Sequence, residues 1–76
     1  MKSIADLKNG QKAKIQDVAL DTIPLKLLEM GCLPGNTVEV LKASKFKDPL
    51  YLNINDTFLA IRRATAKLVF VTPIDK

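Results

Sequence analysis

Three short segments in which apolar and polar residues alternate follow one another closely from residue 37 onward. They predict that this part of the chain consists mainly of strands. The segments read TVEVLKAS at 37 to 44, PLYLNIN at 49 to 55 and TFLAIRR at 57 to 63. Alternation of apolar and polar residues is typical of strands with one buried face, although the third segment is partly apolar on both faces. Asn55 and Asp56 lie where the second segment meets the third and predict a tight hairpin turn.

Two further strands are expected outside this region. Residues 11 to 19, QKAKIQDVA, have one apolar face and one lysine-rich face, and residues 68 to 74, LVFVTPI, form the final apolar run. Near the start, residues 3 to 7 predict a short turn of helix with Ser3 as its cap.

A short helix is predicted at about residues 24 to 30, between the first strand in chain order, which lies at 11 to 19, and the second, which begins at residue 37. Pro24 suits the first turn of a helix, where its missing N–H has no helical partner to lose. Gly31 suits the left-handed residue that ends many helices. Pro34 and Gly35 then occupy the positions that a type II turn requires. The segment therefore predicts a helix, a glycine stop and a tight corner.

Five short strands and one helix in 76 residues predict a mainly β fold, a small and strongly bent barrel whose closure removes exposed sheet edges. A chain of this length has no room for a second core, so residues 1 to 76 are expected to form a single domain.

The order of these motifs resembles the FeoA family over nearly the whole chain. Residues 26 to 40, KLLEMGCLPGNTVEV, are similar to the family pattern Leu-x-x-(Leu/Met)-Gly-x-x-Pro-Gly-x-x-Val-x-Val, and residues 48 to 50, DPL, match a downstream motif. Residues 61 to 66, IRRATA, are similar to the family's Leu-Arg element with its following alanine, with Ile61 in the place of the leucine. At two positions the chain departs from the family: Lys47 stands where glycine is usual, and Thr65 where an acidic residue is common.

The resemblance implies an SH3-like barrel and an accessory role in bacterial ferrous-iron uptake. The implied partner is FeoB, the membrane Fe(II) transporter whose cytoplasmic part is a GTPase, and the chain would dock on that part and modulate it. The sequence contains no signal peptide and no apolar run of the roughly 20 residues that a membrane helix needs. A cytoplasmic location without membrane insertion is therefore expected.

The composition argues against a metal site, a cofactor or an active site within one chain. Histidine is absent, and one cysteine and two methionines are the only sulfur residues, so the usual ligands for iron or zinc are nearly missing. Without histidine the common hydrolytic triad cannot form, and the dispersed glycines make no phosphate-binding loop. The chain is expected not to be an enzyme. An iron site shared between chains stays open.

Cys32 is expected to pack rather than to react. A reactive thiol needs a helix N-terminus or a cationic neighbour to lower its pKa. Cys32 instead follows the C-terminus of the predicted helix, where the partial negative charge has the opposite effect.

A partner surface is predicted where apolar side chains have no evident place in the core, since exposed apolar groups often mark interfaces. Three such residues cluster at the helix end, where not all can point inward, and an aromatic residue lies between lysines in a polar loop. The predicted partner-binding residues are Met30, Cys32, Leu33, Lys45, Phe46 and Lys47.

Two alternatives to FeoB docking stay open. The same domain type ends some iron-dependent transcriptional repressors, and an aromatic residue between lysines can contact phosphates and stack on a base. The net charge of +4 is small, however, so a stable nucleic acid partner is not expected. Weak self-association through the apolar patch is the second alternative.

Overall fold

The fold is a single antiparallel sheet with three short helices. The computed structural model describes residues 2–42 and 48–74. Its strands are β1 Lys2–Ser3, β2 Lys12–Val18, β3 Thr37–Lys42, β4 Leu50–Ile54, β5 Thr57–Ile61 and β6 Val69–Pro73. Its helices are a 3-10 helix at Ile4–Asp6, α1 at Leu25–Glu29 and α2 at Arg63–Ala66.

The described strands form an open sheet, which corrects the prediction of a closed barrel of about five strands. They lie in the order β1, β6, β2, β3, β4, β5, and all neighbours are antiparallel. The strand that the prediction lacked is β1. It lies at one end of this order, and β5 lies at the other. In the described residues β1 and β5 do not pair, and β1 has only two residues with which it could close the sheet.

The helices differ from the prediction in number and position. The main helix, α1, lies between β2 and β3, because the unpredicted β1 precedes both. It is two residues shorter than predicted, since Pro24 has an extended ψ of 135° and Met30 is the C-cap. The 3-10 helix confirms the predicted turn of helix near the start, and α2 was not among the predicted helices.

The core consists of aliphatic side chains from the inner faces of the strands. Its members are almost completely buried, with at most 2% of the side chain exposed in the largest: Ile4, Ile15, Leu50, Leu52, Ile54, Val38, Val40, Val69 and Val71. Strand β4 shows the alternation best, because its first, third and fifth residues are buried and the two between them are not. The predicted alternation is thereby confirmed for β4.

Two irregularities bend the sheet. The register of β2 against β6 shifts between Ile15 and Asp17, and that of β3 against β4 shifts between Val40 and Lys42. Bulges of this kind increase local twist and curvature. The six strands therefore curl around one core, within extents of 27 × 27 × 25 Å.

The predicted hairpin turn between β4 and β5 is confirmed. Asn55 and Asp56 have φ values of 52° and 62°, and the flanking residues Ile54 and Thr57 are paired. Positive φ at both central residues defines a type I′ turn, whose twist matches that of the strands.

Candidate interaction surface

The end of α1 is fixed by backbone hydrogen bonds. The N–H of Cys32 donates to the carbonyl oxygen of Leu27 at 3.0 Å, and the N–H of Gly31 donates to that of Leu28 at 3.1 Å. This pair of bonds is a Schellman motif, which requires a left-handed residue after the C-cap. Gly31 meets the requirement with φ of +103°. The predicted glycine stop is therefore confirmed.

The corner that follows is tied to the sheet, and residues 30 to 36 are called the helix-end corner below. The N–H of Asn36 donates to the carbonyl of Leu33 at 3.2 Å, and Gly35 has φ of +97°, as a type II turn requires. Gly35 donates to the carbonyl of Ile15 at 2.8 Å, and Ile15 donates back to Asn36 at 2.8 Å. The side-chain amide of Asn36 donates to the carbonyl of Gly31 at 2.7 Å. The corner is thus held rigidly against β2.

The predicted partner-binding residues divide into three groups. Leu33 is exposed, with 40% of its surface accessible, and Met30 is half-buried against the core. Cys32 is only 1% exposed, so its side chain offers a partner no area in this structure. The other three, Lys45, Phe46 and Lys47, lie outside the described residues.

The burial of Cys32 has a local cause. The Schellman motif directs the residue after the glycine back onto the last helical turn, where Cys32 joins Leu27 in the core cluster. Loss of solvent raises the pKa of the Cys32 thiol above its ordinary value. The predicted packing role is confirmed.

Two further leucines near the helix are more exposed than any of the predicted residues that the structure describes. Leu25 is 68% exposed and Leu20 is 61% exposed. A helical signal for Leu25 existed in the sequence: two residues correspond to about 200° around a helix, so burial of Leu27 leaves Leu25 on the opposite side.

A second apolar surface lies on the outer face of β3, β4 and β5, and it was not among the predicted partner residues. Leu41, Tyr51 and Phe58 are 42%, 47% and 69% exposed. Together with Ala60, which pairs with Tyr51 across β4 and β5, they line a shallow depression of about 290 Å³. These four residues are called the strand-face patch below. The sequence signal that could have indicated this patch is the presence of apolar residues on both faces of the segment TFLAI.

An interaction between distant residues positions α2. The carboxylate Oδ1 of Asp48 accepts a hydrogen bond of 2.7 Å from the backbone N–H of Arg63, the first residue of α2. The guanidinium Nη1 of Arg63 donates to the carbonyl of Ala5 at 3.2 Å. Asp48 therefore satisfies an N–H that a helix start leaves without a helical partner. The motif at residues 48 to 50 and the motif at 61 to 66 thus meet in space.

Comparison with known families identifies the chain. The FeoA domain family matches residues 2–73. The chain belongs to the FeoA family. This family is associated with ferrous iron transport, and its members are small accessory proteins. The order of motifs in the sequence therefore predicted the family correctly.

Solved structures of FeoA proteins have the same fold. The solution structure of FeoA from Chlorobium tepidum is 27% identical, with a TM-score of 0.85 over 97% of this chain and 71% of that one. FeoA from Stenotrophomonas maltophilia, complexed with zinc, is 26% identical, with a TM-score of 0.82 over 95% and 91% of the two chains. That protein is described as a procaryotic SH3 domain protein and a candidate activating factor for ferrous iron transport. The six-stranded sheet of this FeoA-family chain is accordingly SH3-like.

A further structure, a crystal structure described as an iron uptake regulatory protein (FeoA), is 24% identical and supports the fold alone. Its TM-score is 0.83 over 95% of this chain and 94% of that one. No curated protein matches the chain.

Two observations concern only the part of the chain that the structure describes. None of the helices within residues 2–42 and 48–74 has the length and hydropathy of a membrane span. In the same residues no three acidic or cysteine side chains converge on a point where a metal ion would sit.

Proposed function

We propose that this FeoA-family protein is a non-catalytic cytoplasmic accessory of bacterial ferrous-iron uptake. It docks on the cytoplasmic part of the FeoB transporter and modulates transport or GTP turnover. Family membership over residues 2–73 supports the link to ferrous iron. The description of the Stenotrophomonas maltophilia relative as a candidate activating factor supports a modulating role.

The docking surface proposed for FeoB is the helix-end corner, with Leu33 at its centre. Leu33 is 40% exposed on a turn whose backbone is already hydrogen-bonded to β2. A preorganised apolar group loses little conformational entropy on binding. Met30, half-buried beside it, extends the apolar area. This exposed side chain on a rigid corner is the observation that carries the site assignment.

Lys45, Phe46 and Lys47 are proposed as a second part of the same interface. They supply an aromatic side chain between two cations: aromatic residues are enriched at interfaces, and the cations add electrostatic steering toward an acidic partner surface. Their contribution is tested separately from that of the corner.

A capture experiment with the FeoB cytoplasmic part tests both parts. Leu33→Asp is expected to weaken binding at least about tenfold, as the loss of a central apolar anchor usually does. Ile74→Asp is the matched control, because Ile74 is likewise exposed, at 43%, and its N–H donates to the carbonyl of Lys12, the first residue of β2, rather than to the helix-end corner. Phe46→Asp tests the contribution of residues 45 to 47 to this binding.

Three results would overturn parts of the proposal. Binding that survives Leu33→Asp and Phe46→Asp together would remove the site assignment. No binding of the unmodified chain would remove the FeoB cytoplasmic part as partner. Affinity for nucleic acid that falls steeply with salt would favour the nucleic-acid alternative, whereas an interface built on Leu33 is expected to depend little on salt.

A further inference from the structure

The outer edge of β5 has unused backbone hydrogen-bonding groups. β5 is the last strand of the sheet, and in the described residues only β4 pairs with it. The turn bond joins Ile54 to Thr57, and bonded and non-bonded positions alternate from there along an antiparallel pair. Leu59 therefore bonds toward β4, while the N–H and C=O groups of Phe58 and Ala60 point away from the sheet.

This edge lacks the features that usually block strand addition. Natural edge strands are protected by charges, proline, bulges or very short length. Thr57–Ile61 contains no charge and no proline, and its register with β4 has no bulge. The opposite edge, β1, is only two residues long. The edge of β5 is therefore the one that can accept another strand.

We propose that β5 pairs antiparallel with β5 of a second copy of this chain, around a two-fold axis at Leu59. Each residue then faces the residue equally far from Leu59 in the second copy. Phe58 faces Ala60, so their free N–H and C=O groups bond each other on both sides of the axis. The largest side chain of the strand lies opposite the smallest.

Charges at the two ends of the strand favour this register. Asp56 precedes Leu59 by three residues and Arg62 follows it by three, and both are exposed. The two-fold pairing brings Asp56 of each copy to Arg62 of the other. A register centred on Phe58 instead sets two phenylalanines against each other and faces Asp56 with Ala60. The strand and its flanks are thus complementary to themselves in one arrangement.

The strand-face patch becomes continuous across the same axis. Ala60 lies beside Tyr51 within one copy, so Phe58 of the second copy approaches Tyr51 across the small Ala60 side chain. Aromatic pairs across strands are favourable contacts. An interface made of one strand pair and its flanking side chains is small, and the surface that it buries is expected to lie below the roughly 1,200 Å² of a stable standard interface. The dimer is therefore expected to form only at high concentration.

Sedimentation equilibrium of the whole chain from about 10 µM to about 1 mM tests the pairing. A monomer–dimer equilibrium is expected for the unmodified chain. Arg62→Glu should weaken it at least about tenfold, because at each end an acidic side chain then faces Asp56 of the other copy. Asp48 already accepts the N–H of Arg63 at the start of α2, so the Tm of this variant is measured alongside to show that its fold is kept.

A second pair of variants tests the backbone bonds directly. Ala60→Pro removes an N–H that points away from the sheet, where edge strands tolerate proline, and it should abolish dimerisation. Ala60→Ser is the matched control, because it keeps the N–H, and it should still dimerise.

Amide hydrogen exchange gives a residue-level readout. The N–H groups of Phe58 and Ala60 should exchange more slowly as concentration rises, while that of Leu59, already bonded to β4, should not change. A chain that stays monomeric at the highest concentration overturns the proposal. So does a dimer that survives Arg62→Glu and Ala60→Pro, or one that only Leu33→Asp disrupts.

Discussion

Gly31→Ala is the substitution whose cost the structure defines best, because a second glycine provides its control. Gly31 and Gly35 have nearly equal φ values, +103° and +97°. A Cβ on Gly31 would lie 3.3 Å from Nδ2 of Asn55 and 3.4 Å from Cγ2 of Ile54, whereas a Cβ on Gly35 would meet nothing within 4 Å. The two substitutions therefore share the backbone strain and differ in the contact.

The expected magnitudes follow from these two contributions. A side chain in the left-handed region costs about 1–2 kcal/mol, and a stiffer unfolded chain offsets about 0.4–1 kcal/mol of that. Gly35→Ala should thus lower the free energy of unfolding by about 1 kcal/mol. Gly31→Ala adds an overpacking cost of up to about 1 kcal/mol, because the new Cβ would lie at the limit of van der Waals contact with Ile54, which is completely buried. Its total loss should be up to about 2 kcal/mol.

Urea denaturation and thermal melts of the two variants measure the difference. For a domain of this size, each kcal/mol corresponds to a fall of about 4–8 °C in Tm. Gly31→Ala should therefore lower the Tm further than Gly35→Ala, by up to about twice as much. Equal losses would refute the reasoning, since they would show that the contact with Ile54 and Asn55 adds nothing to the backbone strain.

Three further predictions concern single polar or sulfur groups. Asp48→Ala removes the acceptor of the Arg63 N–H at the start of α2 and should lower the free energy of unfolding, measured in urea, by about 1 kcal/mol. Asp48→Asn keeps an acceptor oxygen and should therefore lower it less. Equal losses of unfolding free energy in the two variants would contradict the capping role. The hydrogen bond from the backbone N–H of Ser3 lowers the pKa of Asp6 below its ordinary 3.8, so its stabilisation is present above about pH 4 and is lost as the pH falls through the lowered folded value. Asp6→Asn should accordingly flatten the fall of Tm between about pH 5 and about pH 2, and an unchanged slope would contradict this origin. The Cys32 thiol should react slowly with an aromatic disulfide reagent in the folded protein and rapidly in denaturant, because burial raises its pKa and blocks access; a fast reaction in native buffer would contradict its burial.

The locally determined features were predictable from the sequence. The turn at Asn55 and Asp56, the stop at Gly31 and the corner at Gly35 all depend on positive φ, and these residue types tolerate it. Because each of these conformations is set by a few adjacent residues, no knowledge of the tertiary fold was needed.

The open sheet was not predictable in the same way. Strand β1 has two residues, too few for any alternation to be detected, and it forms only because β6 lies beside it. The one-turn helix α2 is likewise too short for a helical period, and its start depends on Asp48, fifteen residues earlier. Both features are set by contacts between distant parts of the chain.

The candidate surface was predicted in part. The sequence placed three apolar residues at the helix end without deciding which of them points inward. The Schellman motif decides it, since the residue after the glycine returns to the helix and Leu33 does not. Phe58 was passed over because alternation in TFLAI assigns either face to the core, and only the pairing with β4 shows that Leu59 takes the inner one.

The most direct test of the account is a calorimetric titration of this protein into the cytoplasmic part of FeoB, with GDP and with a non-hydrolysable GTP analogue. The account predicts saturable binding that Leu33→Asp weakens and Ile74→Asp leaves unchanged. Binding in one nucleotide state alone would show that the protein reads the GTPase switch. Absence of binding with both nucleotides would contradict the central claim that it docks on this part of the transporter.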